Sequence, residues 1–112
     1  MFITTRTHGT VAYVDLSRKL SVALKLEPRV NFTIRSVRAG KLEFVILPLG
    51  YLTGCEFVKN FWTEKKSGRT NYKTRAYGKW MYDLIVSHGF DTTKRIPVVL
   101  TNDGFVIENE EV

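Results

Sequence analysis

Thr5-Arg6-Thr7-His8-Gly9-Thr10-Val11-Ala12-Tyr13-Val14-Asp15-Leu16, followed by Ser17-Arg18-Lys19-Leu20-Ser21-Val22-Ala23-Leu24-Lys25-Leu26, opens the stretch that decides the fold. It runs on through two apolar segments around Ala39-Gly40-Lys41 and ends at Leu47. The basic, glycine-containing lead-in feeds Val11–Leu16, whose β-branched and aromatic residues predict a strand. The segment from 17 to 27 fits two periods. Leu16, Leu20, Ala23 and Leu24 share a helical face, while Leu20, Val22, Leu24 and Leu26 alternate as in a strand. Ser17 is a candidate N-cap, without an acidic residue three positions later to complete a capping box. Pro28 ends either element. Val30–Val37 alternates apolar and polar, Arg38-Ala39-Gly40-Lys41 reads as a turn, and Leu42–Leu47 returns as a more apolar strand. One strand, one short helix and one hairpin are too few to close a core in about 45 residues. The unit therefore needs a partner, either a second copy or the rest of the chain.

Residues 5–48 resemble the AbrB/MazE-type (SpoVT-AbrB) swapped-hairpin domain of bacterial and archaeal transcription regulators and antitoxins. The residues that carry the resemblance are Thr5, Arg6, Gly9, Val14, Leu16, Leu20, Ala23, Leu24 and Leu26, then Gly40-Lys41-Leu42 and Leu47-Pro48. Ser17 stands where the family has proline, His8 where it has tryptophan, Thr10 where it has asparagine, and Lys25 where it usually has glycine or asparagine. The Gly-Asp that usually follows the proline is compressed to Arg29. These departures fall in loops and bear on loop geometry and DNA specificity. The resemblance implies two chains interleaving their hairpins into one barrel, hence a homodimer on double-stranded DNA. Arg6, Arg18 and Lys19 match or adjoin positions that are basic in the family and face DNA. His8 and Thr10 would lie in the contacting loop, with Gly9 between them serving a backbone conformation.

Beyond the break at Pro48 and Gly50, Glu56–Thr63 is aromatic-rich and extended, and Lys65-Lys66-Ser67-Gly68-Arg69 is an exposed loop. Tyr77–His88 is the best helix in the chain, because Tyr77, Met81, Leu84, Ile85 and His88 share a face and Gly89 stands at the C-cap. Arg95–Leu100 reads as a strand with Pro97 at its start or edge. Thr101-Asn102-Asp103-Gly104 turns the chain into Phe105–Glu108, and the acidic tail to Val112 is expected to fray. The expected fold is α+β and β-rich. A swapped-hairpin-like barrel unit (1–48) is followed by a second unit of helix and β-hairpin (49–112) that packs on the first. The two halves share a similar outline, a loose internal repeat.

Charge is unevenly spread along the 112 residues, which carry a formal net charge of +6. Residues 59–79 hold seven Lys/Arg against Glu64 alone, whereas residues 80–112 hold two against six Asp/Glu. A basic surface attracts polyanions, of which nucleic acid is the commonest inside cells. The middle segment interleaves these cations with Phe61, Trp62, Tyr72, Tyr77 and Trp80. Lys65, Lys66, Arg69, Lys73 and Arg75 are candidate phosphate contacts. Phe61, Trp62 and Trp80 are expected in the core, since large aromatics dominate small cores.

No apolar run has the length of a membrane span, and the N-terminus lacks a signal-peptide layout, so a cytoplasmic protein is expected. One cysteine, Cys55, and two distant histidines, His8 and His88, offer neither a disulfide nor a zinc spacing, and no metal or cofactor is expected. Cys55 reads as a small buried hydrophobe. No nucleophile–base arrangement emerges, and Lys65-Lys66-Ser67-Gly68 lacks the glycine-rich lead-in of a phosphate loop, so an enzyme is not expected. The leading expectation is a small DNA-binding transcription regulator acting as a homodimer. Its rivals are a protein-interaction module, such as an antitoxin or an inhibitor of a host enzyme, and a single-stranded nucleic-acid binder using the aromatic–basic middle segment.

Overall fold

The computed structural model describes residues 1–110; Glu111 and Val112, the end of the acidic tail, lie outside the described residues. In chain order the elements are β1 (Phe2–His8), β2 (Val11–Leu16), α1 (Arg18–Ala23), β3 (Arg29–Arg38) and β4 (Lys41–Ile46), then β5 (Glu56–Thr63), β6 (Thr70–Tyr77), α2 (Lys79–Ser87), β7 (Ile96–Pro97), β8 (Val99–Leu100) and β9 (Gly104–Glu108). The lead-in is thus itself a strand, folded onto β2 with Arg6 opposite Tyr13 and His8 opposite Val11. Gly9 closes that hairpin at φ +62°.

The doubly periodic segment resolves as a helix. The Ser17 Oγ accepts from the Leu20 N–H at 3.3 Å, the N-cap bond expected of serine there. Val22, which strand alternation would bury beside Leu20, is exposed, and Leu20 and Ser21 are buried instead. The helix ends at Lys25, which takes a left-handed φ of +51° and donates its N–H to the Val22 carbonyl at 3.0 Å. In α2, Met81 and Ile85 are buried, and Gly89 at φ +83° ends the turn.

All strand pairings are antiparallel, in the order β7-β1-β2-β6-β5-β3-β4-β9-β8. The two outermost strands, β7 and β8, are separated in sequence only by Val98. The chain therefore leaves one sheet edge and joins the other within a few residues, and the sheet is a nearly closed barrel. Val98 is buried at this joint and donates its N–H to the Met1 carbonyl at 3.2 Å. Pro97, which has no N–H to give, sits where the strand changes neighbours. Each half of the chain runs hairpin, helix, hairpin, with β7 and β8 together filling in the second half the place of β3 in the first. Around the barrel the halves alternate: β2 lies beside β6 and β4 beside β9, while β1 pairs with β7 and β5 with β3. Because β2 and β6 are antiparallel, α1 and α2 leave them at opposite ends of the barrel, where Leu20, Met81 and Ile85 join the core.

Phe32, Phe44, Phe57 and Phe105 form the centre of that core. Their rings stack at centroid separations of 4.1 Å (Phe32–Phe57) and 4.5 Å (Phe44–Phe105), contacts worth about 0.5–1.5 kcal/mol each beyond their burial. Ile3, Val14, Leu16, Leu42 and Ile107 surround them. Gly104 is dictated by packing, since a Cβ there would lie 1.9 Å from the Phe44 carbonyl oxygen on β4.

The expectation that Phe61, Trp62 and Trp80 are core residues is corrected: they are 58%, 46% and 47% exposed. The reason lies in the lengths of neighbouring strands. β3 pairs with β5 only at Glu56–Val58, and β2 pairs with β6 only at Thr74–Tyr77, yet β5 and β6 pair with each other as far as Thr63 opposite Thr70. From Asn60 to Lys73 the hairpin therefore has no flanking strand and stands out from the barrel as a two-stranded arm. Trp80 lies in the first turn of α2, off the face that carries Met81 and Ile85. Cys55 is half-buried against the core.

Candidate nucleic-acid interface

The arm begins as a twisted ribbon rooted in the core by Phe57 and Ala76, both fully or nearly fully buried. From Asn60 to Lys73 its side chains are polar, aromatic or charged. Lys65, Lys66 and Arg69 occupy the turn at its tip and are exposed. Glu64 shapes that turn. Its Oε2 accepts from the Ser67 hydroxyl and its Oε1 from the Asn71 amide, each at 2.9 Å. The Ser67 bond, then the Asn71 bond, holds the Glu64 carboxyl below the usual carboxylate range, so it stays ionised. Its acceptor capacity serves the turn geometry rather than the three cations, which form no ion pair among the described residues.

At the root of the arm the chain leaves β2 at Leu16, and the edge of β6 beyond Thr74 is bare. A cleft of about 260 Å³ opens there. Arg6, Arg18, Lys73 and Arg95 line it, with Trp62 and Tyr72 as its aromatic walls. Two of the cations are held in place by rings. The Arg18 guanidinium lies 5.1 Å from the Tyr72 centroid and donates to the Asn71 side-chain Oδ1 at 2.6 Å, and Arg95 lies 4.4 Å from the Phe2 centroid. Lys59 covers Tyr72 at 4.9 Å. Arg6 is exposed and forms no ion pair among the described residues.

Among the described residues one carboxylate stands in the cleft wall, and it is already balanced. Asp15, whose side chain is 2% exposed, accepts two bonds from Arg75 and lies 3.6 Å from the Lys73 ammonium. Arg75 in turn stacks 3.9 Å from the Tyr13 centroid and lies 5.8 Å from that of Tyr77. The Asp15 hydrogen bonds push its already high pKa further up. Its guanidinium is committed to the barrel wall.

The ten residues singled out in the sequence thus fall in five places. Arg6, Arg18 and Lys73 meet in the cleft, and Lys65, Lys66 and Arg69 crown the arm. His8 and Thr10 are exposed at the β1–β2 turn, on the barrel end away from α1, and Lys19 is exposed on α1. Arg75 is paired beneath Lys73. Arg95 joins the cleft without having been singled out. It lies in the net-acidic last third, and only the β1–β7 pairing brings it beside Phe2, so no local signal marks it. The acidic residues Asp83, Asp91 and Asp103 are exposed on α2 and the loops that follow it, away from the arm in the strand order.

Among the described residues there is no group of His, Cys, Asp and Glu side chains placed to hold a metal ion, and no helix long and apolar enough to cross a membrane. No protein-family model matches the chain, and neither a curated protein nor a solved structure matches it.

Proposed function

We propose that the protein binds double-stranded DNA as a regulator, using the β5–β6 arm and the cationic ground around its root. The observation that carries this reading is the arm itself: a two-stranded ribbon free of flanking strands, with Lys65, Lys66 and Arg69 exposed at its tip and in no ion pair among the described residues. A ribbon of two antiparallel strands fits the major groove of B-form DNA, and free cations along it release counterions from the backbone. Lys and Arg contacts to phosphate supply the affinity, and the side chains of the ribbon face the base edges.

On this reading a second copy is not required to complete the barrel. The alternation of the two halves around the sheet corresponds to two interleaved hairpin units, the arrangement that the resemblance of residues 5–48 implies for a dimer. The chain's own second half takes the place of the second copy in closing the barrel.

Fluorescence anisotropy of a labelled duplex, titrated at several salt concentrations, tests the function. Binding that weakens steeply with salt is expected, with a log–log slope that falls by about one for each arm cation replaced by alanine. No binding at low salt would refute the proposal.

A further inference from the structure

The cleft at the root of the arm has a shape that duplex binding alone does not use. It is concave, close in size to the smallest small-molecule sites, which start near 300 Å³, and its walls join two kinds of surface. One is Trp62, 46% exposed although it is a large aromatic ring, with Tyr72 beside it. The other is Arg6, Arg18, Lys73 and Arg95, four cations against the single carboxylate of Asp15, which Arg75 already neutralises. An intact duplex presents only phosphates to such a recess, because its bases are stacked on one another. An unpaired nucleotide presents a π-face for the indole and a phosphate for the guanidinium groups together.

We infer that this cleft receives one unpaired nucleotide, so that the preferred ligand is a duplex bordered by a single strand: the arm lies along the paired part while the first unpaired base stacks on Trp62. The inference rests on the nucleic-acid reading above and deepens it by naming the class of DNA. Arg18 and Arg95 reach the flanking phosphate from positions already ordered by Tyr72, Asn71 and Phe2. No rearrangement of the barrel is needed, since both rings stand outside the core.

The test compares a short blunt duplex with the same duplex carrying a short single-stranded overhang, both labelled and both titrated with the full chain. The overhang is expected to raise affinity about tenfold, the scale of one base stacked on one aromatic ring. Trp62→Ala should abolish that difference, and Arg95→Ala should reduce it. In a Trp80→Phe background, where Trp62 is the remaining tryptophan of the two in the chain, the overhang should quench the indole emission and the blunt duplex should not. Equal affinity of the wild-type chain for the two DNAs would overturn the inference, as would a preference that survives Trp62→Ala. Failure of both DNAs to bind would overturn the underlying nucleic-acid reading instead.

Discussion

Arg75 grips Asp15 through two nitrogens, Nε to Oδ1 at 2.7 Å and Nη2 to Oδ2 at 3.2 Å, across the β2–β6 register that sets the two residues opposite each other. The pair locks one of the seams where the two halves of the chain meet, and it does so on the outer face of the barrel with Asp15 almost completely covered. Removing one partner strands the other charge. Loss of a partner from a buried pair costs about 3–5 kcal/mol, and the partial exposure of Arg75 lowers the expectation to about 2 kcal/mol. Asp15→Asn should show this in chemical denaturation. Arg75→Ala should likewise lower stability, with a smaller effect on the salt slope of DNA binding than Lys65→Ala. A large stability loss from Lys65→Ala and none from Arg75→Ala would contradict the division of labour between seam and arm.

Lys25 ends α1 with a left-handed backbone at φ +51°. A side chain with a Cβ pays about 1 kcal/mol for that conformation, and glycine pays nothing, although glycine also loosens the unfolded chain. Lys25→Gly should therefore stabilise the protein by about 0.5 kcal/mol, read as a raised denaturation midpoint at unchanged slope. A destabilisation of similar size would mean that the Lys25 stem contributes packing that outweighs the strain.

Glu64 links the arm to pH. Hydrogen bonds from Ser67 and Asn71 hold its carboxyl below the usual range, so the ionised form favours the folded turn. Its contribution is fully present above the pKa of the free side chain and is lost as the pH falls through the lower folded value. The turn at 64–69 should loosen on acidification. A carboxyl carbon titration by NMR should place the Glu64 midpoint below that of an unstructured glutamate, with the Ser67 and Asn71 amide signals moving alongside. In Ser67→Ala the midpoint should rise. A midpoint at or above the ordinary value in the unaltered chain would refute the arrangement.

Much of the fold was legible in local pattern. The Val30–Val37 and Leu42–Leu47 runs alternate around Gly40 and become β3 and β4, and the apolar face ending at Gly89 becomes α2. The segment after Ser17 was legible only as a choice between two periods, because its leucines satisfy both; the cap and the burial of Ser21 against Thr74, 2.7 Å apart between hydroxyls, settle it as a helix. β6 left no readable trace. Its inward positions are Thr74, against Ser21 of α1, and Ala76, so its alternation lacks the large apolar residues that mark a strand. The aromatics misled for the opposite reason. Phe61 and Trp62 have the composition of a core, and only strand lengths elsewhere in the chain leave them outside it. The cleft is a product of topology: Arg6, Arg18, Lys73 and Arg95 are scattered over most of the sequence and meet because β1, β2 and β6 are neighbours and β7 returns to β1.

The measurement that bears most directly on the central claim is a titration of the isotope-labelled chain with a short duplex, followed by amide chemical shifts. The account predicts perturbations concentrated at residues 64–73, at Arg6 and around Arg18 and Lys19, with the exposed surface of α2 around Asp83 unaffected. Shifts centred on that α2 surface, or none along the arm while DNA is bound, would contradict it.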